Sequence, residues 1–540
     1  MRSKRTALLG ALIAFLGLFA ITGAFSLLTP LSASPDEPDH WRQAYAVWSG
    51  QASLVGTPDP GEPSTTGNYM IPEYMQGYLA QCTYQQSTVT ADCALSTGGS
   101  ELVAGGSSAY AYPPAFYLAT GWVARLLDGT PALYGMRLAS GAAFAAIVAM
   151  TVGLLRQAGA GWRAHFALLL GLTPAICFLA GTMNPSSMAV AAIGLLVVVQ
   201  WRWFLAAGTR HQWFWFAAVV GAGVLAASIR PLSGLLAGVA VLATALATFP
   251  PSHWRAYWWR VGIVLVVVAL FVVGRLFTQV GAAGVGGSAS ASGSYLTPVT
   301  AVWSSLWKGL SLPGKWVGLM GWLDAGENAI STAAWFAAIG LVVLAAMDRG
   351  GRRRILAAQL VLVFLVIMWL YIDTVYTRSS GKPFWQARYG APLVLIALLM
   401  IPMARRPQAL IARMHWRAVL ATALMTVSFV AAATLMLVRY AWGADWQGPM
   451  GQPAWLPLGG SFIGTLALLV LLALGVVVAC LGPISLRESG AGAGDLMSDP
   501  AQEGPTDEGV ATDIRTAAER TAGIDDVGPS ASPTQGGAKV

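Results

Sequence analysis

ALLGALIAFLGLFAITGAFSLL, residues 7–28, is an unbroken apolar run, and Ser34-Pro35-Asp36-Glu37-Pro38-Asp39-His40 follows it almost at once. A helix needs about 20 apolar residues to cross a bilayer, so the run reads as a membrane span. It is longer than the 7–15 apolar residues of a typical signal peptide. Ser32-Ala33-Ser34 keeps a cleaved leader as the alternative reading. The acidic stretch then stands where the chain leaves the membrane. Only 24 of the 540 residues are Asp or Glu, and 10 of those lie beyond residue 486. Three carboxylates and an imidazole within five residues are therefore a concentration that needs a reason.

Outward from this stretch the composition excludes a soluble protein. Charged residues make up 10% of the chain, whereas soluble domains carry about 25%. Apolar runs recur along most of the length, which predicts an all-α polytopic membrane protein rather than a barrel of short alternating strands. Hydropathy sets about twelve transmembrane helices, near residues 7–28, 131–155, 164–182, 185–204, 213–228, 231–249, 260–278, 329–347, 355–374, 387–403, 416–438 and 460–482. Residues 1–486 hold 28 Lys and Arg against 14 Asp and Glu, and 17 of the 28 fall at one set of span ends. By the positive-inside rule those ends face the cytoplasm, and so do both termini. The acidic stretch then lies outside. No basic stripe is interleaved with exposed aromatics, so nucleic acid is not an expected partner.

Two parts are expected: a membrane-embedded domain, residues 1–486, and a disordered acidic cytoplasmic tail, residues 487–540, which is a candidate docking segment for another protein. The first outer loop is large, residues 29–130. Within it Trp41, Ala44, Tyr45 and Trp48 share one helical face, which predicts an amphipathic helix over residues 40–48 lying along the interface. Residues 113–127 are too short for a span and read as interfacial or re-entrant. Cys82 and Cys93 lie in this loop and can form a disulfide in an oxidising compartment; Cys177 and Cys480 lie in apolar runs and read as core. A Gly/Ser/Ala-rich outer stretch, 281–294, should be flexible.

Three sets of residues carry chemistry. Asp36 or Asp39 can cap the helix that follows; alternatively Asp36 or Glu37 is a carboxylate base that deprotonates an attacking hydroxyl. Arg137, Arg230, Arg275 and Arg388 stand near the outer ends of spans, where arginine either snorkels to head groups or binds a phosphate through its planar fork. Tyr112, Trp385 and the Trp303–Trp322 segment form either an interfacial belt or a sugar-stacking wall. Asn184 can hold a sugar hydroxyl or cap the helix beginning at Pro185. The chain has no Gly-rich P-loop, HExxH or paired CxxC, so neither a cofactor nor a metal site is expected, and a divalent-metal requirement stays open. The inner loops are too small for a nucleotide-sugar domain, so a transferred group must come from a donor outside.

Pro35-Asp36-Glu37-Pro38-x-His40, Tyr112-Pro113-Pro114-x-x-Tyr117, Asn184-Pro185 and Gln386-x-Arg388-Tyr389 resemble recurring stretches of a bacterial family of predicted membrane proteins, domain of unknown function family 2142. The resemblance covers roughly residues 10–480, and the order and spacing of the motifs carry it. That family is similar in layout to the GT-C glycosyltransferases, multi-span enzymes that use polyprenyl-phosphate sugars. The resemblance implies a GT-C-like fold in the bacterial cytoplasmic membrane, with interfacial helices in the first extracytoplasmic loop. It implies a lipid-linked sugar donor, an envelope glycan or glycolipid as acceptor, and Asp36 or Glu37 as the catalytic carboxylate. His40, Tyr112, Asn184, Gln386 and Tyr389 become substrate-binding candidates through those motifs. The phosphate role of Arg137, Arg230 and Arg388 rests on arginine chemistry instead. Two rival functions remain: a flippase for an envelope lipid, and a non-catalytic partner in an envelope-synthesis complex.

Overall fold

Helix α1 (Arg2–Leu28) ends at Thr29-Pro30, because proline cannot donate the next helical hydrogen bond and disfavours helical geometry before it. The computed structural model describes residues 2–51, 67–77, 82–84, 86–93, 98–249, 254–283, 296–347, 351–380, 385–403, 416–445 and 451–486. The chain divides into two units, Met1–Arg487 and Glu488–Val540. The second, with the expected acidic tail, lies outside the described residues. The expected flexible stretch 281–294 is helical to Ala283 and outside the described residues beyond it, as is the side chain of Arg275.

After α1 come α2 (Glu37–Trp48), strands β1 (Gly67–Pro72) and β2 (Leu102–Ser107), α3 (Ala115–Thr120), α4 (Gly129–Gln157), α5 (Trp162–Leu170), α6 (Pro174–Gly181) and α7 (Pro185–Leu205). Then follow α8 (Gln212–Ala227), α9 (Ser233–Thr248), α10 (Trp254–Ala283), α11 (Pro298–Gly309), α12 (Leu312–Gly318), α13 (Ala329–Met347), α14 (Arg352–Ser380), α15 (Ala387–Met400), α16 (Trp416–Trp442) and α17 (Phe462–Ser485). Among the described residues seven helices are long and apolar enough to cross a membrane: α1, α4, α7, α13, α14, α16 and α17. The pair α5 and α6, bent by 66°, makes an eighth if counted as one span. Shorter apolar helices are α8, α9, α15 and the Tyr257–Val273 part of α10. The chain is thus a helical multi-pass membrane protein with, among the described residues, one small β-hairpin, and a helix stands at every expected span.

The bend inside the expected 164–182 span has a local cause. Thr173 caps α6 through its side chain, which accepts from the amide of Ile176, and Pro174 occupies the first helical position. Thr173 Oγ1 also donates to the Trp316 carbonyl at 2.8 Å, which ties the break to α12. Residues of α6 and α7 are buried almost without exception, the signature of a core helix. Around this core, α1 packs between α4 and α17. A side chain at Gly17 would strike the α17 backbone at 2.6 Å and one at Gly475 the Gly17 carbonyl at 2.8 Å, so small residues set how closely the two helices approach.

The two ends of the bundle differ in chemistry. At the end away from the acidic stretch, arginines donate to carbonyls at helix termini: Arg156 to Pro483, Arg354 to Met403 and Arg353 to Phe249. Cations there satisfy unpaired carbonyls and complement the helix dipoles. At the other end the segment after α1 folds over the bundle. Arg42 of α2 donates to the carbonyls of Met75, Gln76 and Gly106, pinning α2 to the antiparallel hairpin in which Gly67 faces Ser107 and Pro72 faces Leu102. Cys82 and Cys93 are disulfide-bonded. Arg439 of α16 donates to Gln86 and Val89 within the loop they close, and to Asp324 at 2.9 Å.

The expected interfacial helix is corrected here. Residues 37–48 are helical, but Glu37, Pro38, His40, Trp41, Gln43, Ala44 and Ala46 are all buried. Helical periodicity identified the helix; its partners are the hairpin, α3 and α4 rather than lipid. Residues 113–127 form α3 and a following 3-10 turn, Gly121–Arg125, whose Gly121 packs against the Ala44 carbonyl and Trp48.

Candidate functional site

The site begins in the turn that joins α1 to α2. Ser32 and Asp36 both take left-handed backbone conformations, at φ of 60° and 62°. Each costs of order 1–2 kcal/mol for a residue with a Cβ. The consequence lies in the next two side chains. Glu37 points into the bundle and is fully buried, whereas the Asp36 side chain is 45% exposed. Two adjacent carboxylates thus occupy opposite environments. The turn is fixed from outside by hydrogen bonds from Trp322 Nε1 to the Ser32 carbonyl, Tyr440 Oη to Ala33, and Asn184 Nδ2 to Pro35.

Glu37 meets Arg137 of α4 in a two-point pair at 2.6 and 2.8 Å. The same guanidinium donates to the carbonyls of Ser26, Thr29 and Pro30, each at 2.8 Å. All five N–H groups of Arg137 are used. Burial pushes the Glu37 carboxyl above its usual range and Arg137 pulls against that shift. Both Glu37 oxygens are taken by Arg137, so this pair closes the end of α1 and offers nothing to a substrate.

Asp36 meets Arg388 of α15 at 2.7 Å. Burial of the carboxyl works to raise its pKa, but Arg388, with His40 and Arg230 adding to it, holds Asp36 below the usual carboxylate range. The carboxylate is therefore ionised at neutral pH. Arg388 uses only one nitrogen in this pair; its buried Nε and Nη1 have no partner among the described residues. Behind it lies a cavity of about 290 Å³ bounded by α6, α11, α12, α14 and α15, whose wall includes Pro35, Asp373, Trp385, Gln386 and Arg388. Gln386 Oε1, also without a partner among the described residues, lies in the same wall. A larger groove of about 680 Å³ between α9, α10 and α14 is lined by aliphatic side chains, glycines and Phe364, with no polar side chain among its described lining residues.

The remaining sequence candidates divide. Arg230 stacks on Tyr389 at 4.7 Å and donates to Ser186 at 2.9 Å, and its charge reaches both Asp36 and His40. Asn184 is buried, caps α7 through the Ser186 amide and holds Pro35, so its role is to place the turn. Tyr112 packs on His40 at 5.6 Å. The expected cap at Asp39 is corrected: its Oδ1 accepts from the Ser108 amide at 3.0 Å and so ties α2 to the end of the hairpin. The helix begins at the left-handed Asp36, whose side chain makes no capping bond. Among the described residues no three His, Cys, Asp or Glu side chains are grouped to hold a metal.

His40 is enclosed by Tyr112, Phe116 and Tyr117, and its Nδ1 is 2.9 Å from Tyr117 Oη. Burial pushes its pKa down to about 3, with the Asp36 charge opposing. The sign follows from proton counting. Below about 6.5 the unfolded chain binds a proton that the folded chain refuses until about 3. Acidification across that window costs up to about 1.4 kcal/mol per pH unit. The melting temperature of the purified protein should fall between pH 6.5 and 4, and less steeply in His40→Gln. Equal slopes in the two proteins would show that His40 does not carry the effect.

Reading the sequence did not single out Lys308, Lys315, Ser305 or Trp369, which complete the cavity wall. The available signal was two lysines one helical heptad apart inside a Trp-rich stretch. A family model described as predicted membrane protein (DUF2142) matches residues 19–397. Comparison with curated proteins and with solved structures gives no match.

Proposed function

Taking as premise that the chain belongs to the DUF2142 family of predicted membrane proteins, we propose that it is a glycosyltransferase acting outside the bacterial cytoplasmic membrane. It transfers a sugar from a polyprenyl-phosphate donor to an envelope glycan or glycolipid. In this reading the helices make twelve spans in a GT-C-like layout, both termini are cytoplasmic and the acidic stretch faces out. The observation that carries the proposal is the Asp36–Arg388 pair: an ionised, half-exposed carboxylate beside a guanidinium with free nitrogens at a cavity wall.

The chemistry divides between the two groups. Asp36 takes the proton of the acceptor hydroxyl as that oxygen attacks the anomeric carbon. The bond from that carbon to the phosphate oxygen breaks, its electron pair leaves with the phosphate, and the anomeric centre inverts. Arg388 meets the charge growing on the phosphate, with Arg230 adding to the field. Donor phosphate that draws Arg388 away from Asp36 also frees the carboxylate as a base, so donor binding and base activation are coupled. Glu37 and Arg137 act as the frame of the turn rather than as reacting groups. A flippase would need ionisable groups along a path through the bilayer, whereas Asp36, Arg388, Arg230 and Asp373 cluster at one end.

The decisive experiment is analysis of envelope glycans and lipid-linked sugars in a deletion strain. One glycan should lack a sugar, its polyprenyl-phosphate donor should accumulate, and the wild-type gene should reverse both. Normal glycans and no accumulated donor would overturn the proposal.

A further inference from the structure

The cavity behind Arg388 is closed on one side by α11, and α11 has two unlike faces. Val299, Val302, Trp303, Leu306, Trp307 and Leu310 recur at helical spacing and are all exposed. Ala301 and Ser305 on the other face are buried, and Gly309 packs against the Trp369 ring. An exposed Trp-rich face of this kind, on a multi-pass membrane protein, is suited to the bilayer interface. Lys308 lies at the boundary of the two faces, between exposed Trp307 and cavity-lining Gly309, and itself lines the cavity. Lys315, half-buried one heptad on, also lines it.

The cavity is built for a polar guest. Five buried polar atoms in its wall lack a partner among the described residues: Ser305 Oγ, Trp316 Nε1, Gln386 Oε1, and Nε and Nη1 of Arg388. Buried polar atoms are costly unless bonded, so a cluster around one void marks a ligand's place. Arg388 is only 9% exposed. Three cations line the void against one carboxylate, Asp373, which already accepts from the Trp385 amide at 2.8 Å. The excess of positive charge selects an anion, and planar Arg beside flexible Lys suits phosphate oxygens.

We infer that this cavity seats the phosphate of a membrane lipid that enters sideways along α11, with Lys308 at the mouth and Lys315 and Arg388 inside. The hydrocarbon chain stays in the bilayer against the exposed face of α11. The identity of that lipid as a polyprenyl donor rests on the function proposed above; the phosphate seat does not.

The test uses the full chain in phosphatidylcholine nanodiscs, with thermal stabilisation as readout. The probes are farnesyl phosphate, farnesol, inorganic phosphate and phosphatidic acid. Farnesyl phosphate should stabilise the protein saturably and farnesol should not. Charge reversal in the double variant Lys308→Glu, Lys315→Glu should weaken that binding by about tenfold or more, and the Lys308→Arg, Lys315→Arg pair should restore it to within about threefold. Inorganic phosphate matching farnesyl phosphate would overturn lateral entry. Binding unchanged on charge reversal, or no stabilisation by either lipid, would overturn the seat. Phosphatidic acid binding as tightly, with the same lysine dependence, would support the seat and remove the polyprenyl donor. Farnesyl phosphate binding alongside full complementation by Asp36→Asn would support the seat and overturn the transferase.

Discussion

In the proposed reaction, Asp36→Asn is expected to lower sugar transfer by about 10²–10⁴-fold, the contribution typical of a positioned general base, while the protein still folds and inserts. Asparagine keeps the size and hydrogen-bonding reach of the side chain but cannot take a proton. The stability cost is limited because the asparagine oxygen can still accept from Arg388, and the charge removed belongs to a side chain that is 45% exposed. Complementation of a deletion strain, with glycan analysis and membrane-fraction quantification, checks both halves of the statement. A fully active Asp36→Asn variant would remove Asp36 from the reaction. An inactive one recovered at normal level would separate a chemical role from a folding role, which loss of activity alone cannot do.

Glu37→Ala has the opposite profile: the loss is in the folded protein itself. It leaves the Arg137 guanidinium in a dry site facing three carbonyls and no anion. Removing one partner of a buried ion pair costs about 3–5 kcal/mol, enough to exhaust much of a domain's stability. Arg137→Met is expected to be as harmful, because it strands the Glu37 charge and frees the carbonyls of Ser26, Thr29 and Pro30. The double variant Glu37→Gln, Arg137→Met removes both charges and should be less damaged than the sum of the singles. Detergent-solubilised yield and melting temperature give the measurement. Single variants as stable as wild type would show that the pair does not hold the turn.

Much of this was legible beforehand, and the reasons differ by element. The seven long apolar helices follow from hydropathy because a bilayer imposes one length and one polarity on every crossing. The broken α5–α6 segment was read as one run because its apolar content is continuous; Thr173-Pro174 marks the interruption. Periodicity located α2, but the same face fits lipid or protein, and here the hairpin and α3 cover it. The division between Asp36 and Glu37 could not be read from two neighbouring acids. It depends on the left-handed backbone at Asp36 and on Arg137 and Arg388, which lie 100 residues from Glu37 and 352 from Asp36. Lys308 and Lys315 carry no motif of their own, because the cavity they line is assembled from separate helices. Cys82 and Cys93 were recognisable as a pair from their shared loop, whereas the grip of Arg439 on that loop was not.

The Arg137 hub also bears on how the chain is made. A guanidinium inside a bilayer-crossing helix is costly to insert without an anion and carbonyls to receive it. Glu37 and the carbonyls of Ser26, Thr29 and Pro30 all precede α4 in the chain, so the receptor for Arg137 is synthesised before Arg137 reaches the membrane. The order of elements along the polypeptide thus doubles as an order of biogenesis. A circular permutation that put α4 ahead of α1 would keep every native contact and still present the insertion machinery with an unaccompanied charge.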